Sequence, residues 1–188
     1  MSGRITVITG PMFAGKTTTL IDMLNATCWH GPVFFVRPKA DTRGGISHNA
    51  QARLDERITV ITRSSLCPVK GLYPGMTIGI DEGQFFPDLV AGVLEMIKHD
   101  VYVIVAGLSL DAEGRPFGQM PILLAHADEV IVRRARCVAC WRPAEMTRYK
   151  GTVPKTSQIL VGGDDLYEPV CRRCYYGLRA AVTEGEED

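Results

Sequence analysis

The stretch RITVITGPMFAGKT, residues 4–17, decides the fold of this chain. It begins with a β-branched apolar run that is typical of a buried strand, and it continues as G-x-x-x-x-G-K-[ST], the pattern of a phosphate-binding loop (P-loop). The glycines let consecutive backbone N–H groups turn towards a phosphate, and the helix predicted to follow adds its partial positive charge. In this pattern Lys16 reaches the β- and γ-phosphates, and the Thr17 hydroxyl binds Mg²⁺. The predicted nucleotide-binding residues are Gly10, Pro11, Met12, Phe13, Ala14, Gly15, Lys16 and Thr17.

A second motif, MTIGIDE at residues 76–82, supplies the acidic partner that a P-loop requires. An apolar strand that ends in an aspartate is the Walker B pattern, in which Asp81 holds Mg²⁺ directly or through water. Glu82 follows at once, and a carboxylate at this place can accept a proton from the group that attacks the γ-phosphate. The alternative for Glu82 is a solvated acid at the end of a strand. The two motifs predict a phosphotransferase or hydrolase that uses ATP or GTP, and they do not choose the acceptor.

Around these motifs, short apolar runs alternate with helical patterns, which indicates an α/β domain whose parallel sheet is covered on both faces. Two segments are predicted to be long loops, Lys39–Glu56 and Ser109–Gly118. Each could be a functional loop or a mobile surface insertion, and the sequence does not choose between these alternatives. Strands are predicted at Arg4–Thr9, Val33–Val36, Thr77–Asp81, Val101–Ala106 and Glu129–Val132, and helices at Thr17–Ala26 and Pro87–His99.

Composition narrows the class of protein. The 188 residues are 46% hydrophobic, so the chain can bury a sizeable core. Lys and Arg total 21, and Asp and Glu also total 21, so the basic excess typical of nucleic-acid binders is missing. No apolar run approaches the roughly 18 residues of a transmembrane helix, and the first nine residues lack the features of a signal peptide. We expect a cytoplasmic protein with no membrane and no nucleic-acid partner.

Two C-x-x-C pairs, thirty residues apart, predict a metal site. Together they supply four thiolates for a tetrahedral zinc ion, and four thiolates leave no open position, so the zinc would be structural. The separation exceeds the roughly 15–20 residues of a compact zinc ribbon, so the chain between the pairs should leave the metal and return to it. Redox pairing is the alternative. The predicted zinc ligands are Cys137, Cys140, Cys171 and Cys174.

The segment between the two cysteine pairs is rich in glycine, with VGGDDLY at residues 161–167. A loop of this kind, anchored at both ends by a metal, is suited to close over a small ligand with backbone hydrogen bonds. A plain β-hairpin is the alternative, and the residues alone do not choose between the two.

Taken in order, GPMFAGKTTTL, IDEGQFFPDLV, the C-x-x-C pairs and VGGDDLY followed by CRRCY resemble type II thymidine kinases, from about Ile5 to Tyr175. The resemblance implies ATP-dependent phosphorylation of the 5′-hydroxyl of a deoxynucleoside. It also implies a P-loop (RecA-like) α/β domain with a small zinc-ribbon or lasso domain, and a homotetramer. We place these units at residues 1–132 and 133–178, followed by an acidic, disordered tail at residues 179–188.

The resemblance also implies roles for particular residues. Glu82 would be the base on the 5′-hydroxyl, and Gln84 would belong with Lys16, Thr17 and Asp81 to the group that binds ATP and Mg²⁺. Asp41 and Arg43 match the family's loop after the second strand. The residues that match the nucleoside site are Met12, Phe85, Leu108, Phe117, Thr147 and Tyr167, with Gln158, Ile159, Leu160 and Val161 as the lasso segment whose backbone would hold the pyrimidine.

One stretch departs from the family pattern. The family reads L-D-x-x-F before its P-F dipeptide, with the phenylalanine stacked on the base, whereas this chain has Ser109 and Ala112 at the corresponding places. Loss of a base stack costs about 1–3 kcal/mol. Either another ring replaces it, or affinity is lower, or the pocket accepts a larger or different base.

The predicted function is therefore ATP-dependent 5′-phosphorylation of thymidine, or of a closely related pyrimidine deoxynucleoside, in nucleotide salvage. Its partners are the nucleoside and ATP, with Mg²⁺ and a structural Zn²⁺. The alternatives are a kinase for a modified or other nucleoside, a P-loop ATPase in which Glu82 polarises water, and a zinc-ribbon nucleic-acid binder that uses the arginines near the cysteine pairs.

Overall fold

The computed structural model describes residues 3–40, 53–151 and 165–177. Its centre is a parallel sheet of six strands. They are β1 (Arg4–Thr9), β2 (Val33–Pro38), β3 (Ile58–Arg63), β4 (Thr77–Ile80), β5 (Tyr102–Gly107) and β6 (Glu129–Val132). The strand order is β3-β2-β4-β5-β1-β6, and every neighbouring pair is parallel. The predicted α/β fold with a parallel sheet is therefore confirmed.

Helices cover both faces of this sheet. They are α1 (Lys16–Thr27), α2 (Leu89–Lys98) and α3 (Met120–His126), and a 3₁₀ turn lies at Gly83–Phe85. Ile8 of β1 packs with Leu20 and Leu24 of α1, whereas its neighbour Val7 belongs to the apolar cluster that contains residues of α2 and α3. Consecutive side chains of a strand point to opposite faces, so β1 serves two cores at once. This explains its near-continuous apolar sequence.

In the large sheet and the helices on it, two elements are not predicted from the sequence. The strand β3 lies at the edge of the sheet, and its residues Thr59 and Val60 are exposed, so it lacks the continuous burial that marks the central strands. The helix α3 has seven residues and a proline near its start. Two turns are too short for a clear helical period, which explains why the pattern did not reveal it.

After β6 the chain forms smaller elements. The strands β7 (Ala135–Arg136) and β8 (Pro143–Ala144) pair antiparallel, and so do β9 (Met146–Tyr149) and β10 (Tyr167–Val170), before the short helix α4 (Arg172–Tyr175). Cys137, Met146 and Val170 are buried in a cluster of their own. No helix within residues 3–40, 53–151 and 165–177 is long and apolar enough to cross a bilayer.

Candidate active site

The P-loop joins the end of β1 to the start of α1. Two of its glycines have backbone conformations that would be strained for any other residue. At Gly10, φ is 142°, and a Cβ would overlap the carbonyl oxygen of Arg133. At Gly15, directly before α1, φ is 76°, in the left-handed region that favours glycine. The loop therefore turns tightly onto the N-terminus of a 12-residue helix, which is the end that attracts phosphate groups.

The predicted phosphate and metal residues meet at one edge of the sheet. Lys16 is buried, and its Nζ donates to the carbonyl oxygen of Pro11 at 2.7 Å. The Oγ1 of Thr17 lies 3.1 Å from each carboxylate oxygen of Asp81. β5 lies between β1 and β4, and all three strands are parallel, so the residues that follow their carboxyl ends share this edge.

Asp81 is buried, and its surroundings suit a bound cation. Burial raises the pKa of the Asp81 carboxyl to about 7, and the nearby Glu82 carboxylate raises it as well, while the hydrogen bond from Thr17 lowers it. An adjacent cation favours the charged form of a carboxylate. The carboxylate and the hydroxyl are also the oxygen donors that Mg²⁺ prefers, so this pair fits the predicted metal.

Glu82, the second residue after β4, has an uncommon backbone conformation. Its φ is 50° and its ψ is 47°, and among the described non-glycine residues only four have a positive φ, one of which is Phe13 in the P-loop. Such conformations are concentrated at functional sites. The Nε2 of Gln84 donates to Glu82 Oε2, and the Oε1 of Gln84 accepts the Leu108 N–H at 2.9 Å. The Gln84 side chain therefore links the Glu82 carboxylate by hydrogen bonds to the residue that follows β5.

A second group of predicted residues forms a cluster beside this edge. The buried members are Met12, Leu108, Phe117 and Tyr167, and the half-buried side chains packed against them are Phe85, Ala112, Tyr149 and Leu166. The rings of Phe85 and Phe117 meet edge to face with their centroids 5.8 Å apart. Thr147 is buried, and its Oγ1 accepts the backbone N–H of Met12 at 3.0 Å. The predicted nucleoside residues of the described part therefore gather next to the P-loop.

Tyr149 is a member of this cluster that is not among the residues predicted from the sequence. It lies opposite Tyr167 in the pairing of β9 and β10, and the two ring centroids are 5.7 Å apart. Because side chains alternate along a strand, a residue two positions after Thr147 shares its face of β9. That spacing was the available signal.

The segment that carries Ala112 is an ordered loop. Leu110 and Pro116 form an isolated β-bridge. The buried carboxylate of Asp111 accepts the N–H groups of Glu113 and Arg115 and pairs with the Arg115 guanidinium at 2.9 Å. This arrangement brings Ala112 to the aromatic cluster.

The four predicted zinc ligands lie together. The sulfur atoms of Cys137, Cys140, Cys171 and Cys174 are all within 4.8 Å of one another. Zn–S bonds of about 2.3 Å in a tetrahedron put sulfur atoms roughly 3.8 Å apart. All six cysteines of the chain are unbridged, and the 3.5 Å between the Cys140 and Cys171 sulfurs is far beyond a disulfide bond. The donor set fits zinc and does not support the redox alternative.

The thiols of this cluster influence one another. Hydrogen bonds from Cys140 and Cys171 raise the pKa of the Cys174 thiol to about 12. Burial opposes ionisation of Cys137, but backbone N–H groups of Cys171, Ala139 and Cys140 outweigh it and lower its pKa to about 6. Four close sulfurs cannot all ionise without a cation among them, which is the charge that zinc supplies.

Some predicted site residues fall outside the described part of the chain. Asp41 and Arg43 belong to residues 41–52, and Gln158, Ile159, Leu160 and Val161 belong to residues 152–164. Their assignment stays a prediction from the resemblance. The acidic tail at residues 179–188 also lies outside the described residues.

Comparison with known proteins agrees with this geometry. The sequence model of the thymidine kinase family matches residues 3–175. The chain is 38% identical to the thymidine kinase of Bacteroides thetaiotaomicron, over 98% of this chain and 92% of the relative. It is 37% identical to that of Thermococcus kodakarensis, over 90% and 92%, and 32% identical to that of Vaccinia virus, over 93% and 98%. The match spans the P-loop, the Asp81–Glu82 pair and all four clustered cysteines, and the chain belongs to the thymidine kinase family.

Proposed function

We propose that this protein transfers the γ-phosphoryl group of ATP to the 5′-hydroxyl of thymidine and forms thymidine monophosphate for nucleotide salvage. The observation that carries the proposal is the position of Glu82. Asp81 on one side of it contacts Thr17 of the P-loop, and Phe85 on the other side packs against the aromatic cluster. Glu82 is therefore connected to a phosphate site and to an apolar pocket, as a base on an acceptor hydroxyl must be.

Each residue then has a role in the transfer. The N-terminus of α1 and the Lys16 ammonium would bind the phosphates and neutralise charge on the transferring group. Thr17 and Asp81 would hold Mg²⁺, which neutralises phosphate charge when it is bound. Glu82 would accept the proton of the 5′-hydroxyl. The rings of the cluster would contact the base and sugar, and by exclusion of water they would favour the nucleoside as the acceptor.

A second acceptor is supported by Ala112. This side chain is small where the family pattern has a phenylalanine, and it lies at the aromatic cluster. A pyrimidine deoxynucleoside with a larger 5-substituent is therefore the alternative substrate. Tyr149 packs against the same cluster, and its ring would take the place of the missing phenylalanine in a site for thymidine itself.

Several broader features are part of the proposal. We place the P-loop domain at residues 1–132 and the zinc-held domain at residues 133–178, which is supported by the separate apolar cluster around Cys137. The resemblance to type II thymidine kinases supports a homotetramer, and the exposed Val130 and Val132 on the edge strand β6 are consistent with association. The cytoplasm is the proposed location.

One assay tests the proposal. ATP consumption is measured with no acceptor, with thymidine, and with a panel of deoxynucleosides that includes deoxyuridine and 5-substituted analogues, and products are identified by mass spectrometry. We expect thymidine monophosphate and little ATP hydrolysis in its absence. Equal ATP hydrolysis with and without nucleosides, and no monophosphate, would favour the ATPase alternative. A 5-substituted analogue as the best substrate would favour the widened pocket.

A further inference from the structure

We infer that Gln84 is a positioning residue, which acts on phosphoryl transfer by holding the Glu82 carboxylate rather than by contact with ATP. The inference rests on the proposed function, because it needs Glu82 to be the base. It replaces the role in ATP and Mg²⁺ binding that the resemblance implies for Gln84. The side chain of Gln84 is buried, and its two polar atoms both have protein partners.

The orientation of the Gln84 amide is determined by its partners. The backbone N–H of Leu108 can only donate, so the atom that faces it at 2.9 Å must be the amide oxygen. The amide NH₂ consequently faces Glu82 and donates to its Oε2. An amide NH₂ donates to a carboxylate oxygen, so the contact favours one orientation of the Glu82 side chain.

The space around Gln84 keeps the side chain in this position. A Cβ at Gly107 would lie 2.7 Å from the amide oxygen, and a Cβ at Gly118 would overlap the main-chain carbonyl of Gln84. Gly107 and Gly118 therefore pack closely against Gln84, and a larger residue at either position would displace it. With its amide held between β5 and Glu82, Gln84 cannot turn to a phosphate without giving up both hydrogen bonds.

Glu82 benefits from such a support. Its side chain is half-buried and has three rotatable bonds, and its backbone is in the left-handed region. A general base must lie within hydrogen-bond reach of the hydroxyl that it deprotonates. A displacement of about 1 Å in a catalytic group can cost roughly a hundredfold in rate. A donor fixed to β5 restricts the carboxylate to the place that the reaction uses.

The test is the variant Gln84→Glu, which keeps an acceptor for Leu108 N–H and replaces the donor to Glu82 by a second carboxylate. We expect kcat to fall by about tenfold to a hundredfold, while the KM for ATP and ATP binding measured by calorimetry change less than threefold. The matched control is Gln119→Glu. The Gln119 amide also has two protein partners, Val90 N–H and the Pro87 carbonyl, and neither belongs to a predicted site residue, so kcat should be unchanged.

A double variant separates positioning from a structural role. If Gln84 acts only through the Glu82 carboxylate, replacing Gln84 should cause no further loss of rate in a protein that already carries Glu82→Gln. Single-turnover rates of Glu82→Gln and of Glu82→Gln/Gln84→Glu should then be equal. The inference would be overturned if adding Gln84→Glu to Glu82→Gln lowered the rate by the same factor as adding it to the parent. It would also be overturned if the kcat of Gln84→Glu were within threefold of that of the parent.

Two controls keep the outcomes distinct. Thermal unfolding shows whether Gln84→Glu is folded, and Gln84→Met, which adds no charge, replaces it if it is not, with the same expected loss of kcat. A parent protein that forms no thymidine monophosphate would overturn the proposed function, and the inference with it. A parent that is active while both Gln84 variants keep its kcat would overturn the inference alone.

Discussion

Asp81 and Glu82 are neighbours in the chain, yet their surroundings differ. Asp81 is buried against Thr17, where burial raises its pKa to about 7. Glu82 is half-buried and receives a hydrogen bond from Gln84. The left-handed backbone at Glu82 turns the chain two residues after β4. These different surroundings support the different roles proposed for the two carboxylates, Asp81 towards the metal and Glu82 towards the acceptor.

This division gives the first prediction. Glu82→Gln should lower kcat by about 10²–10⁴-fold, because an amide keeps the shape of the side chain but cannot accept the hydroxyl proton. The Kd for ATP, measured by calorimetry, should change little. A kcat within a few-fold of the parent would show that another group accepts the proton.

Ala112 is the second residue for which a substitution is informative. It is half-buried at the aromatic cluster, so Ala112→Phe should restore a stacking surface and tighten thymidine binding by about 1–3 kcal/mol. Kd values for thymidine, deoxyuridine and 5-substituted analogues measure the effect in parent and variant. Weaker thymidine binding by a similar amount would instead indicate overpacking, and would mean that Tyr149 or a larger natural base uses the space.

At the scale of elements, one repeated sequence shows what local pattern can and cannot predict. The hexapeptide RITVIT occurs at residues 4–9 and again at residues 57–62. The first copy is β1, whose last five residues are buried between two neighbouring strands, and the second supplies most of the edge strand β3, where only Ile58 is fully buried. The same letters thus form a central strand and an edge strand, because position in the sheet depends on the rest of the chain.

The predictions that succeeded depend on chemistry that is local in sequence. The P-loop, the strand before Asp81 and the cysteine pairs each contain their own signal, and the structure brings these groups together as expected. Tyr149 and the hydrogen bonds of Gln84 were not predicted, because they depend on which strands become neighbours. The strand β10, which places Tyr167 opposite Tyr149, is separated from β9 by 17 residues.

The start of α2 carries a pH-dependent contact between elements. Asp88 accepts the Ser65 hydroxyl and the N–H groups of Leu66 and Cys67. Burial alone would raise the pKa of the Asp88 carboxyl, but these hydrogen bonds outweigh it and lower the pKa below its usual value. A carboxyl with a lowered folded pKa stabilises the fold above its unfolded pKa of about 3.9, and this contribution is lost as the pH falls through the folded pKa.

We therefore expect Asp88→Asn to lower the free energy of unfolding by about 1–3 kcal/mol at pH 7, because its NH₂ must face a backbone N–H in either orientation. The difference in unfolding free energy between the parent and Asp88→Asn should shrink below about pH 4, as the parent's Asp88 carboxyl becomes protonated and uncharged like the amide. Urea unfolding at several pH values measures it. Asp22→Asn, at an exposed ion pair with Arg53, is the control and should have almost no effect. If the difference in unfolding free energy stayed the same at acidic pH, the charged form of Asp88 would not be the source of the stabilisation.

At the scale of the whole molecule, the four-cysteine cluster is connected to the aromatic cluster by short paths. Tyr175 follows the last cysteine directly, and its hydroxyl donates to the Ala112 carbonyl at 2.8 Å. Tyr167, on the strand that leads into Cys171, is a buried member of the aromatic cluster. Hydrogen bonds from Met12 N–H to Thr147 and from Arg133 to the Ala14 carbonyl connect this unit to the P-loop, and neither Thr147 nor Arg133 adjoins a cysteine of the cluster. A zinc ion held by these cysteines would therefore support the aromatic cluster more directly than the phosphate-binding turn, which lies on the large sheet.

The last prediction follows from this arrangement. Removal of zinc by a chelator, or Cys171→Ser, should weaken thymidine binding at least tenfold while ATP binding changes less than threefold, since the metal's binding energy is partly the folding energy of the elements around it. Metal analysis of protein purified without chelator should give one zinc per chain, and calorimetry gives both affinities. Tyr175→Phe keeps all four thiols and removes one hydrogen bond, so it should retain zinc and lose only about 0.5–1.5 kcal/mol of thymidine affinity. Equal weakening of thymidine and ATP would mean that zinc supports the whole fold, and an unchanged thymidine affinity in Tyr175→Phe would mean that the path from the metal to the pocket runs through Tyr167 instead.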